Sequence, residues 1–136
     1  MLAKSGSIVN TASTYGVVAP DQRIYDECKP EGNLYGGGYP LNIPGSYSAS
    51  KGGVISFSRY LAVSLAEYNI RVNVLIPGGV FDGQENNFHQ EYVKRTPLGR
   101  MAIWSDYNGA ILFLVSEASW YMTGANLIID GGWTSW

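Results

Sequence analysis

Cysteine occurs once in these 136 residues, and Cys28 therefore has no partner within the chain. A disulfide framework is excluded, and a reducing, cytoplasmic setting is the simpler reading. Histidine also occurs once, at His89; nothing ties it to a serine as a hydrolase would require, and alone it supports no metal site. Charge is scarce: 15% of residues, 9 basic against 11 acidic, for a net charge of -2. With no basic run longer than Lys94-Arg95, a nucleic-acid or membrane surface built on charge is excluded. The longest uninterrupted apolar run, Ala110 to Val115, is far short of the ~20 residues that span a bilayer. No secretory apolar region precedes the strand-like Ser7-Ile-Val-Asn-Thr-Ala12, so the chain opens inside its fold. A composition 46% hydrophobic with so little charge implies that part of the surface is covered by another chain. Small-molecule chemistry and protein contact remain.

What is present orders itself into alternating elements. Residues 7–12 form a short β-branched run, read as a buried strand. Residues 17–45 read as a loop, because Pro20, Pro30, Pro40 and Pro44 with Gly36-Gly37-Gly38 stop helix and sheet alike. A connection of that length points to function, and the loop is expected to be mobile and to govern substrate choice. Residues 46–68 turn helical, with Val54, Phe57, Leu61 and Leu65 along one line and Ile55 and Ala62 on another, and Asn69 is a left-handed stop. Residues 70–76 alternate as a strand into the turn Pro77-Gly78-Gly79. A short helix is expected near Gln90–Lys94. Ser105 is expected to cap a helix over 106–117 whose apolar run is mostly buried. Residues 126–129 form the last strand. Strand, helix, strand, helix, strand implies an α/β fold: about three parallel strands with flanking helices, as in the C-terminal half of a Rossmann-like doubly wound sheet.

The sharpest chemical signal is Tyr47-Ser-Ala-Ser-Lys51. At i and i+4 on the first turns of a helix, phenol and ammonium lie on one face. A cation that close favours the phenolate, as a proton-transferring tyrosine requires. Taken alone, the spacing describes many ordinary surface pairs. It stands, however, in order with Gly6-Ser-Ile-Val-Asn-Thr-Ala-Ser13, Arg71-Val-Asn-Val-Leu-Ile-Pro-Gly78 and Thr123-Gly-Ala-Asn-Leu-Ile-Ile-Asp-Gly-Gly132. Together the four motifs resemble the short-chain dehydrogenase/reductase family over nearly the whole chain outside 17–45. Asp21-Gln-Arg-Ile-Tyr25, Thr96-Pro-Leu-Gly-Arg-Met101 and the ending Asp130-Gly-Gly-Trp-Thr-Ser-Trp136 resemble a subgroup linked to bacterial surface sugars, including nonulosonic acids and flagellin glycans.

The resemblance implies an NAD(P)-dependent oxidoreductase that moves hydride between nicotinamide and a carbonyl or hydroxyl substrate, with a sugar or sugar derivative expected. It implies catalytic roles for Ser13, which bonds the substrate oxygen, Tyr47, which exchanges a proton with it, and Lys51, which holds the ribose hydroxyls and supports Tyr47. It places Pro77, Gly78 and Val80, with Tyr47 and Lys51, against the cofactor. The bland readings are a strand-end serine and a strand-terminating turn. Independently of the family, Gly78-Gly79 leaves backbone uncovered at a strand's C-terminal end, where open α/β sheets bind ligands.

Two departures stand out. Ser13 and Tyr47 lie 34 positions apart, where the family keeps them much closer, so 17–45 is an inserted loop. The threonine the family often carries beyond the Pro-Gly turn is replaced near Phe81-Asp82. The polar residues Gln84, Asn86, Asn87, His89, Gln90, Lys94 and Arg95 suit a hydroxyl-rich or phosphorylated substrate, or a solvated lid. No strand followed by a glycine-rich turn and a helix N-terminus is available for a pyrophosphate, and the second-strand acidic or basic residue that in the family would choose between NAD and NADP is absent too, so the two are not distinguished. Activity of these residues alone is not expected: the chain resembles a family member's C-terminal half, a partial domain over 1–136. The competing reading is a non-catalytic remnant or oligomerisation module. A homo-oligomer is expected in either case.

Overall fold

The computed structural model describes residues 5–26, 28 and 42–136. Its centre is a three-stranded parallel sheet of β1 (Gly6–Thr11), β2 (Ile70–Pro77) and β3 (Asn126–Ile129), in the order β1-β2-β3. Gly6 pairs with Ile70 and Thr11 with Leu75, while Val74 pairs with Asn126 and Pro77 with Ile129. Helix α1 (Gly45–Ser64) joins β1 to β2; α2 (Asn86–Arg95) and α3 (Asn108–Val115) lie between β2 and β3. The expected α/β class and the three parallel strands are present.

The central strand explains the layering. Val72 to Ile76 are all buried, a continuous run that arises when helices cover both faces of a parallel sheet. Val74 and Ile76 pack with Ile55 of α1 and Ala12. Leu75 points the other way, to Leu114 of α3 and Tyr107. Asn73 sits in this apolar run at 0% exposure. Its amide donates to the Met122 carbonyl at 2.8 Å and its oxygen accepts from Ala125 N–H at 3.1 Å. Arg71 reaches the end of α3, donating to the carbonyls of Leu114 and Ser116 and to the Ser119 hydroxyl. It thereby satisfies carbonyls that a helix end leaves open.

Several local expectations need correction. In α1 the buried line is Ile55, Ser58 and Ala62; Phe57 of the expected stripe is 57% exposed. Ser58 belongs inside because its hydroxyl bonds Val54 O and accepts from the Asn10 amide. The helix ends at Ser64, and a 3-10 turn, Ala66–Tyr68, carries the chain to Asn69, whose φ of 57° makes the left-handed stop. Ser105 caps nothing: a 3-10 turn, Trp104–Tyr107, starts at Ile103, whose N–H donates to Asp106. Only Leu114 of α3 is buried, because this short helix meets the sheet with one side and leaves Leu112 66% exposed. Helix α2 extends well beyond the expected 90–94.

Gly36-Gly37-Gly38 lies outside the described residues. Of the loop before α1, the described part is anchored: Ile24, Tyr25 and Cys28 are buried with Tyr15, Phe88, Tyr92, Met101 and Trp133. Gln22 and Ile43 exchange two hydrogen bonds, which closes the base of the loop. Asp21 accepts from Arg23 and from Arg95 of α2.

These ion pairs give the fold an acid limit. Arg100 beside Asp106 holds its carboxyl at about 2, and Arg23 beside Asp21 holds that carboxyl well below the usual range. A carboxyl depressed in the folded state adds stability above its unfolded value near ~4, and the gain disappears as pH falls through the folded value. Thermal melts are expected to drop between about pH 4 and 2, and Asp106→Asn should flatten part of that slope. A wild-type melt independent of pH across this window would contradict it.

Candidate active site

Both strands that lead into the site end in backbone turns. After β1, Ala12 and Ser13 enter a 3-10 turn, Thr14–Gly16, capped by the Ser13 hydroxyl, which accepts from Tyr15 N–H at 3.2 Å. That leaves the hydroxyl proton of Ser13 free to donate elsewhere. After β2, Pro77-Gly78-Gly79-Val80 continues into a parallel bridge between Val80 and Ala102. Between these ends lies a cavity of about 320 Å³, lined among others by Ser13, Tyr47, Pro77, Gly78 and Val80. The crevice beyond the carboxyl ends of parallel strands is where open α/β sheets take ligands.

Tyr47 stands in the first turn of α1 and Lys51 one turn on, as their spacing predicts. The Lys51 ammonium lies 5.7 Å from the centre of the Tyr47 ring and donates to Thr11 O at 3.4 Å. Lys51 is thus tied to the end of β1 and stands behind Tyr47, outside the cavity lining. Gly16 permits this: a Cβ there would fall 2.8 Å from the carbonyl carbon of Lys51. The Ser13 turn can approach α1 only because residue 16 has no side chain. Gly16→Ala is expected to cost about 1–3 kcal/mol and to part the two elements. Denaturant unfolding would measure the loss; an unchanged midpoint would refute the close approach.

The turn after β2 is clamped by residues the sequence reading passed over. The peptide group joining Gly78 to Gly79 is held at both polar ends. The Tyr107 phenol donates to Gly78 O at 3.1 Å, and Gly79 N–H donates to the Tyr92 phenol at 2.6 Å. A Gly-Gly peptide is otherwise free to rotate. Tyr92 is in turn stacked on Trp133, with centroids 4.2 Å apart and planes 13° apart. Burial pushes the Tyr92 and Tyr25 phenols well above the usual tyrosine range, so both stay protonated. The one legible signal was Phe88 and Tyr92 at i and i+4 in a helix expected to be shorter.

Beyond the turn, Gln84 follows Phe81-Asp82, where the family threonine is replaced. It donates to Val80 O and accepts from Asp82 N–H, both at 2.8 Å, which fixes the loop that carries Asp82. Of the polar stretch expected to face a substrate, Gln84 lines the cavity. Arg95 and Lys94 are paired with Glu91 instead, and His89 packs edge-on against Phe81.

A family model described as enoyl-(acyl carrier protein) reductase matches residues 35–134. The chain belongs to the short-chain dehydrogenase/reductase family. Within it, the chain is 34% identical over 128 residues to post-translational flagellin modification protein A of Campylobacter coli, covering 94% of this chain and 46% of that one. That relative agrees with the surface-sugar resemblance. An NADH-dependent L-xylulose reductase of Ambrosiozyma monospora is 43% identical over 99 residues, covering 66% and 36%. A short chain dehydrogenase of Leptospira borgpetersenii, solved with bound NAD+, superposes with a TM-score of 0.81 at 45% identity, covering 95% of this chain and 44% of that one. The chain spans about half the length of these family members, or less.

The nicotinamide end of such a cofactor fits this site. The wall after β2 is bare backbone at Gly78 and Gly79, and Tyr47 lines the same cavity with Lys51 behind it. The described residues contain no glycine-rich turn opening a helix for the pyrophosphate. Among them there is also no group of three or more His, Cys, Asp or Glu able to hold a metal, and no helix long and apolar enough to cross a membrane.

Proposed function

We propose that this chain is the substrate-facing part of an NAD(P)-dependent oxidoreductase acting on a carbonyl or hydroxyl carbon of a sugar- or polyol-type substrate. The observation that carries this reading is that Ser13, Tyr47 and the Pro77–Val80 turn border one cavity, with Lys51 behind Tyr47. Ser13 donates a hydrogen bond to the substrate oxygen, and Tyr47 exchanges a proton with the same oxygen. Lys51 supports Tyr47 electrostatically and holds the ribose hydroxyls, while Pro77, Gly78 and Val80 present backbone to the carboxamide. A nicotinamide ring, when bound, supplies or accepts the hydride, and either NAD or NADP serves. In this reading the full domain adds the pyrophosphate site to residues 1–136, with 17–45 as an insertion bearing on substrate. The setting is cytoplasmic, where Cys28 remains a thiol.

Nicotinamide absorbance measured on the full reading frame that carries this chain tests the proposal, with a panel of sugars and polyols. Turnover with NAD or NADP is expected. No turnover across the panel with either would overturn it.

Self-association belongs to the same reading. Phe57, Tyr60 and Val63 of α1 are 57%, 66% and 81% exposed, and the first two rings stack 6.2 Å apart. Apolar area of that kind is worth roughly 25 cal/mol per Å² when covered. Light scattering is expected to return dimers or larger species, and a stable monomer would count against it. The remnant reading has no specific observation in its favour.

A further inference from the structure

Consecutive peptides of the turn after β2 are held in two different ways. On one side Gly78 N–H donates to Ile129 O of β3 at 2.9 Å, and on the other Ala102 N–H donates to Gly79 O at 3.0 Å. Those bonds run from backbone to backbone. The described bonds of the peptide between them, at Gly78 O and Gly79 N–H, are made to the phenols of Tyr107 and Tyr92. Space lies on either side of it: Gly78 and Gly79 line both the cavity of about 320 Å³ and a second one of about 160 Å³. No side chain can stiffen this wall from within, since a Cβ at Gly79 would fall 2.8 Å from the Tyr92 ring and one at Gly78 2.8 Å from Asp130 Cα. The phenols are themselves fixed. Tyr107 is buried with Leu75 and Leu114. Trp133 backs Tyr92 from the turn after β3, which the Asp130 carboxylate ties by accepting from Gly132 and Thr134 N–H, each at 2.8 Å.

Resting on the oxidoreductase reading above, we infer that Tyr92 and Tyr107 are positioning residues for the nicotinamide end of the cofactor, acting through the peptide plane between Gly78 and Gly79. The C=O and N–H of one peptide point to opposite edges of its plane, so a bond at each edge stops the plane from turning about the line that joins the two Cα atoms. In that reading the turn presents backbone to the carboxamide, a group that both donates and accepts. Its hydrogen bonds hold only while the donors and acceptors of the wall keep one orientation. With the plane fixed beforehand, binding does not have to order it, and the wall aims the nicotinamide ring instead of merely admitting it. Each phenol acts on the ring through the turn.

The test uses Tyr92→Phe and Tyr107→Phe in the full reading frame that carries this chain. Each variant keeps its ring, and with it the stack on Trp133 or the contact with Leu75 and Leu114, and loses only the hydroxyl. Two ligands are titrated by fluorescence or calorimetry: the dinucleotide that the protein binds, NAD or NADP, and ADP-ribose or its 2′-phosphate, which lack the nicotinamide. Each variant is expected to bind the dinucleotide about fivefold more weakly, the scale of one neutral hydrogen bond, with the affinity for the ligand lacking nicotinamide unchanged. A purely structural role would weaken both ligands alike. That result, or undiminished dinucleotide affinity in either variant, would overturn the inference and leave the oxidoreductase reading intact. Selective weakening in a protein that turns over no substrate would support the inference and count against the oxidoreductase reading. A wild-type protein that binds neither NAD nor NADP would overturn both.

Discussion

Tyr47→Phe, made in the full reading frame that carries this chain, is expected to lower kcat by about 10²–10⁴ while leaving the fold intact, the usual contribution of a positioned general acid or base. The reason is local. Tyr47 is about one-third exposed on the first turn of α1, so removing its oxygen opens no core cavity. What is lost is a phenol that, alone among the described residues, combines a place on the cavity wall with an ammonium 5.7 Å from its ring. Steady-state kinetics would show the fall in kcat with little change in thermal midpoint. A variant that retained wild-type turnover would remove Tyr47 from the proton transfer.

Asn73→Ala is expected to cost about 3 kcal/mol, because a side chain buried in the sheet is removed and the two part-buried backbone groups it joins lose their hydrogen bonds together. The Met122 carbonyl and the Ala125 amide would be left without the Asn73 side chain that now joins them. For a domain of this size that loss corresponds to a thermal midpoint lower by about 10 °C. Calorimetry or a circular-dichroism melt would measure it. A shift of only a degree or two would mean that water replaces the asparagine and that the 122–125 connection is held by other means.

Much of the site was legible because its chemistry is local in sequence. Tyr47 and Lys51 share a helix face through a spacing of four, and the turn after β2 declares itself through Pro77-Gly78-Gly79. Residues 78 and 79 were read as bare backbone, and so they are. The clamp on their peptide was not legible, because Tyr92 and Tyr107 reach it from two other elements, and the spacing of Phe88 and Tyr92 marks a helix face without saying what that face touches. The pairing of Arg95 with Asp21 joins positions far apart along the chain, and it removes from the cavity a cation that composition alone had offered to a substrate.

Alternation of apolar and β-branched residues, with glycine and proline as punctuation, was enough to determine three strands, the long helix and their parallel arrangement, since strand and helix periods are properties of short segments. Which side of each helix faces inward was decided only in three dimensions. In α1, Ser58 displaced Phe57 from the interior because the strand beside it carries Asn10, a polar partner that no periodicity in the helix announces. In α3, one leucine of an unbroken apolar run is buried because contact with the sheet is narrow. The cations of α2 were likewise placed by packing: Arg95 is drawn to Asp21 and Glu91 and Lys94 to Glu91, and no spacing within the helix alone announces Asp21.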